Sequence, residues 1–73
     1  MRLCELKEKQ TAVIKRLTAP AAFAERLRDM GFCEGEQAVC VRIAALRSPV
    51  LYLVKGTHIA LRTADAAFVE VAP

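Results

Sequence analysis

Cys4, Cys33, Cys40 and His58 are the only soft metal ligands, apart from methionine, in this 73-residue chain. Sites built from Cys and His normally bring in two ligands on one turn, as in C-x₂-C, because a shared turn lowers the ordering cost. Here the nearest pair, Cys33 and Cys40, lies seven residues apart. On that spacing Cys40 reads as a small buried apolar residue in a strand, and Cys33 as a turn residue. His58 reads as a solvated residue beside a hairpin turn. A metal site drawn from Cys4, Cys33, Cys40 and His58 is the alternative, with a pH-sensing or metal-contact role for His58. Nucleophilic catalysis has little to work with. The one serine, Ser48, precedes Pro49 with no nucleophile elbow around it, and a Cys33–His58 dyad would still need a cleft and an oxyanion hole. No Gly-rich run leads into Lys-Ser or Lys-Thr, so phosphate binding by a P-loop is excluded. The expectation is a non-enzymatic chain that takes no cofactor.

The second kind of chemistry available is charge. Lys15, Arg16, Arg26 and Arg28 are expected to surround one helix with positive charge, forming the rim of a surface that meets an acidic partner. Overall the chain carries 11 basic and 8 acidic side chains, a net charge of +3. That is mildly basic, and it lacks the aromatic interleaving of single-strand binders, so a nucleic-acid partner is not expected. The hydrophobic fraction of 55% is high for a small soluble protein. A chain this short buries only about 60% of its unfolded surface, so some apolar area is left for a partner or a second copy.

The elements that would position these groups read mainly as strands. Met1–Leu6 is expected to be a strand-like arm with Leu3 inward, followed by a charged turn and a strand over Thr11–Leu17. Pro20 opens a helix over about 19–30, because its fixed φ suits a first turn and its missing N–H loses nothing there. Phe23, Leu27 and Met30 fall at i, i+4 and i+7 and form the expected core-facing stripe, with Ala24 and Arg26 at its edges. Gly31 then stops the helix, and Phe32 folds back on the last turn. Gln37–Leu46 reads as a strand, and Val50–Val54 as a buried one. Gly56 reverses the chain into an alternating strand from His58 to Arg62. Thr63 is expected to cap a single helical turn over about 63–67, with Asp65 near its start and a closing strand after it. The whole of 1–73 is expected to be one domain, a small SH3-like β-barrel with one inserted helix. No stretch approaches the 18 or so apolar residues that a membrane span requires. The N-terminus has no signal-peptide core, and three cysteines suit a reduced, cytoplasmic chain better than a disulfide framework.

This order of residues resembles the FeoA family, the small cytoplasmic proteins that accompany the bacterial ferrous-iron permease FeoB. The likeness rests on Leu3 and Leu6, Ala12 and Ile14, then Arg26-Leu27, Gly31, Phe32 and Gly35. It continues through Ser48-Pro49, Gly56, Ile59-Ala60-Leu61-Arg62, Ala66 and Val71. Two positions depart from the pattern. Lys9 stands where the family often has Gly before the second strand, and Leu46-Arg47-Ser48-Pro49 replaces a loop that more usually contains Pro and Asp. The resemblance implies an accessory to ferrous-iron uptake that contacts the cytoplasmic part of the FeoB membrane GTPase and biases its conformation. Two other readings are a regulatory module like the SH3-like domain of metal-dependent repressors, and a small metal carrier using Cys4, Cys33 and Cys40.

Overall fold

Turn chemistry sets the register of the most regular part of the molecule. Lys55 and Gly56 both have positive φ, 51° and 73°, which makes a two-residue turn whose twist matches that of its strands. The turn pairs β3 (Val50–Val54) with β4 (Thr57–Leu61), the second strand beginning at Thr57. The computed structural model describes Met1–Pro73. With β1 (Thr11–Leu17), β2 (Gln37–Ile43) and β5 (Val69–Ala72), these strands form one antiparallel sheet in the order β4-β3-β2-β1-β5. Buried residues from all five strands join a single core cluster, so the sheet curls around its own inner face. The two end strands, β4 and β5, do not pair. A short helix, α2 (Thr63–Ala66), connects them, with Ala66 buried in the core.

Tyr52 and Phe32 fill that interior. Both are essentially fully buried, and their rings meet edge to face at 6.2 Å and 88°. Each ring contributes roughly 1.5–3 kcal/mol by leaving water. Cys40 lies directly across the ladder from Tyr52, and Ala38 is also buried, so β2 turns its small side chains inward. Val39, Val41 and Ile43 are left half-exposed. The large ring on β3 requires small neighbours on β2, which is close packing at work.

Helix α1 (Ala21–Met30) links β1 to β2. It ends as Gly31 requires. Gly31 has φ 115°, its N–H donates to the Arg28 carbonyl, and the Phe32 N–H donates to the Leu27 carbonyl. These two bonds satisfy carbonyls that the helix leaves free, and they aim Phe32 into the barrel.

Several expectations are corrected. Met1–Leu6 is not a strand-like arm: Leu3–Glu5 form a 3₁₀ turn, because the Glu5 carboxylate accepts from the Arg2 N–H and closes the chain on itself. Leu3 is nevertheless buried, and Met1 and Arg2 still reach the outer edge of β5 through the Val71 and Glu70 contacts. The helix starts at Ala21, and β2 stops at Ile43. Its core-facing side is Ala24 and Leu27, while Phe23 is half-buried and Met30 is exposed. The buried stripe centres between Ala24 and Leu27, and Met30, about 60° beyond Leu27 on the side away from Ala24, falls outside it. Thr63 does not cap α2 with its side chain. Its hydroxyl donates instead to the Arg47 carbonyl at 2.6 Å, while its N–H donates to Ser48 Oγ, tying the β2–β3 loop to α2.

The departure at Lys9 has a physical meaning, because its φ is 71°, a left-handed conformation that costs an L side chain free energy and glycine almost none. Lys9→Gly is expected to stabilise the fold by about 0.5 kcal/mol, and Gly31→Ala to destabilise it by about 1 kcal/mol or more. Urea melts of the two variants check the signs. A destabilising Lys9→Gly would show that the lysine side chain contributes more than its backbone strain costs.

Candidate functional site

Lys15 and Arg16 stand on β1, and Arg26 and Arg28 on α1. The β1–β5 ladder slips between Ile14 and Arg16, so Lys15 is an extra residue without a partner. Such a bulge re-aims neighbouring side chains, and here both Lys15 and Arg16 are exposed. Arg16 comes only within 3.9 Å of the Glu70 carboxylate, with most of its side chain in water. Arg26 lies over the Phe23 ring, 5.7 Å from its centre, and Phe23 packs edge to face on Phe68 at 5.8 Å. The aromatic ring holds the guanidinium in place while leaving its donors available.

Arg28 is in a different state. Its Nε and Nη2 donate to the two carboxylate oxygens of Glu34 at 3.1 and 2.8 Å, a bidentate pair that spans the Gly31 turn. Those hydrogen bonds from Arg28 hold the Glu34 carboxyl down from the ordinary 4.5 to about 2. Of these four cations, Lys15, Arg16 and Arg26 therefore present unneutralised or weakly paired charge, and Arg28 is engaged within the chain. The Arg28–Glu34 pair lies six residues apart across a turn, outside any helical i,i+4 rule, and was not legible from spacing.

The soft ligands are dispersed. Cys40 is fully buried beside Tyr52, and burial pushes its thiol up from the ordinary range, reinforced by the Glu8 charge. Cys33 is half-exposed after the helix end, its Sγ donating to the Arg28 carbonyl at 3.3 Å. Cys4 is half-buried in a groove of about 320 Å³ with Leu6, Ile43, Val50 and Thr63. His58 is exposed on β4. Nowhere do three or more His, Cys, Asp or Glu side chains converge in metal-binding geometry. Sequence reading did not separate the outer face of β2 and β3, where Val39, Leu51 and Leu53 lie half-exposed outside the core. The signal for it was present, since the unbroken apolar run Val50–Val54 supplies both faces of its strand.

A curled five-strand antiparallel sheet carrying helices α1 and α2 around one core defines a small SH3-like barrel module. A family model for the FeoA domain matches residues 1–73, and the chain belongs to that family. It is 41% identical over 71 residues to an Fe(2+) transport protein A/Fe(2+) transporter FeoB fusion protein of Porphyromonas gingivalis, a match covering 97% of this chain and 8% of that one. The chain thus spans less than a tenth of the curated relative's length. The solution structure of iron(II) transport protein A from Clostridium thermocellum superposes with a TM-score of 0.93 at 35% identity, covering 99% of this chain and 44% of that one. The crystal structure of Stenotrophomonas maltophilia FeoA complexed with zinc, described as an SH3 domain protein, gives 0.85 at 36% identity over 97% and 88% of the two chains. The SH3-like class expected from the sequence is the class observed.

Two outcomes are expected at this surface. A thiol reagent should modify native Cys33 much faster than Cys40, whose thiol is both buried and held protonated, whereas equal rapid labelling would mean the barrel opens readily. The depressed Glu34 carboxyl stabilises the folded state above its ordinary value near 4.5, and this contribution is lost as pH falls toward about 2. An NMR titration of Glu34 should therefore show a midpoint near 2 that returns to the ordinary range in Arg28→Ala. An unchanged midpoint would exclude Arg28 as the cause.

Proposed function

We propose that this FeoA-family chain is a non-enzymatic, cytoplasmic accessory of ferrous-iron uptake that acts by contact with the cytoplasmic part of a FeoB-type permease. The observation that carries this reading is the Porphyromonas gingivalis fusion protein, 41% identical to this chain, in which the two components are one polypeptide. Fusion holds two modules at high effective concentration, an arrangement that suits partners that work in contact. A module of this kind alters its partner by binding one conformation more tightly than another, and needs no chemistry of its own.

Lys15, Arg16 and Arg26 form the proposed contact rim, with Arg28 held back by Glu34 unless the partner's acidic groups compete for it. Exposed cations of this sort chiefly raise the association rate, and salt screens them over a Debye length of about 8 Å at physiological ionic strength. The zinc complex of Stenotrophomonas maltophilia FeoA supports a second reading, a metal-binding carrier, for which Cys4, Cys33, Cys40 and His58 are the available ligands.

Lys15→Glu with Arg26→Glu should leave the melting curve nearly unchanged, because both side chains are exposed. The pair should slow association with the FeoB cytoplasmic region severalfold at low salt, and less at high salt, in a biosensor titration. Association by the double variant equal to wild type at low salt would remove this face. No binding by wild type, together with stoichiometric Fe²⁺ or Zn²⁺ uptake in equilibrium dialysis, would favour the carrier.

A further inference from the structure

Strand β4 ends the sheet, and its outer edge is unpaired. In a two-residue hairpin the residues flanking the turn, Val54 and Thr57, exchange both ladder bonds, and the alternation continues through Tyr52–Ile59 and Val50–Leu61. The N–H and C=O groups of His58 and Ala60 therefore point away from β3. No backbone bond outside the ladder uses any group of Thr57–Leu61, and both His58 and Ala60 are exposed.

The surface beside this edge has a definite chemistry. His58 lies across from Leu53, and Leu53 from Val39, while Ala60 lies across from Leu51. Val39, Leu51 and Leu53 thus form a half-exposed apolar strip on the face opposite the core, running up to the open edge. From Gln37 to Ala64 the chain has no Asp or Glu, while Arg42, Arg47, Lys55 and Arg62 fall within it. Lys55 and Arg42 take part in none of the ion pairs of the molecule, while Arg62 donates to Asp65 at 3.3 Å with most of its side chain still in water. All eight acidic residues lie in the remaining segments.

We propose that the free edge of β4, between Lys55 and Arg62, docks an extended partner segment with alternating apolar and acidic side chains, which adds to the sheet as a further strand. Its main chain would bond to His58 and Ala60, its apolar side chains would extend the Val39–Leu53 strip, and its carboxylates would meet the flanking cations. Lys55 to Arg62 is seven steps of about 3.3 Å, so the matching segment is about eight residues long. A second copy of this chain fits poorly. Antiparallel pairing of β4 with itself about Ile59 would set Lys55 opposite Thr63 and Arg62 opposite Gly56, so each end of the seam would gather one Lys55 and one Arg62 with no carboxylate between Lys55 and Arg62 to offset them. The test below uses no FeoB, so its failure leaves the permease reading standing.

The test is an NMR titration of the full ¹⁵N-labelled chain with a capped octapeptide of alternating Val and Glu. Expected are shift changes centred on His58, Ile59 and Ala60, and at least tenfold slower exchange of the His58 and Ala60 amides at saturation. A Val/Lys octapeptide should bind at least tenfold more weakly. Ala60→Pro should abolish binding while keeping the core resonances, because the amide it removes faces outward and proline is tolerated at sheet edges. If that variant fails to fold, the same peptide N-methylated at its edge-facing amides should lose binding to the unaltered chain. Equal binding of the two octapeptides would overturn the proposal, as would undiminished binding of the N-methylated peptide, or shift changes confined to other strands. A dimer abolished by Ala60→Pro, with no peptide binding, would overturn it in favour of a second copy.

Discussion

A barrel of five short strands must fill its own interior, and the edge-to-face contact between Phe32 and Tyr52 is how this one does so. Tyr52 comes from the middle of β3, and Phe32 from the segment just after α1. Their burial leaves room for only small residues opposite, and Ala12, Ala38 and Cys40 supply them. Phe32 reaches the interior because Gly31 turns the chain in a conformation that a side chain would resist. One glycine therefore couples the helix end to the centre of the core. The buried Tyr52 ring also loses easy ionisation: desolvation drives its hydroxyl well above the usual phenol range, and the Leu3 carbonyl lies 3.4 Å away.

That filling has consequences at the surface. Once β2 turns Ala38 and Cys40 inward, its larger neighbours Val39 and Val41 must face out, and β3 places Leu51 and Leu53 on the same side. An interior built from two rings thus displaces aliphatic side chains to the exterior, consistent with a hydrophobic fraction too high for the core alone. Charge is segregated in parallel. The segments outside Gln37–Ala64 mix cations with all eight acidic residues, and Arg16 and Arg28 are paired there with Glu70 and Glu34. The strands from β2 to β4 carry only cations.

Much of this was legible in the residues. Lys55-Gly56 between two apolar runs specified the hairpin, and Gly31 followed by Phe32 specified the helix end, because both rest on local backbone chemistry. The strand expected over Thr11–Leu17 has those bounds in the structure. What could not be read depends on contacts between distant segments. Met30 is exposed because the buried stripe runs through Ala24 and Leu27 rather than through Phe23 and Leu27, and the apolar spacing fits either face. Leu3 was expected inward and is, yet its segment is a 3₁₀ turn, since the local Arg2–Glu5 bond competes with strand pairing. Thr63 had the right residue type for a cap, but Arg47 and Ser48 claimed its donors from another loop. The same limit applied to Arg28, since nothing in its spacing indicated that Glu34 would take its donors.

Direct contact with the permease is the central claim, and amide hydrogen exchange tests it most directly. The chain would be exchanged alone and with the FeoB cytoplasmic region in excess. The expected result is slower exchange in peptides covering the Lys15–Arg16 bulge and helix α1, with the buried centre of β3 unchanged. Exchange in every peptide identical to that of the free chain, at concentrations well above those expected for a working adaptor, would contradict it.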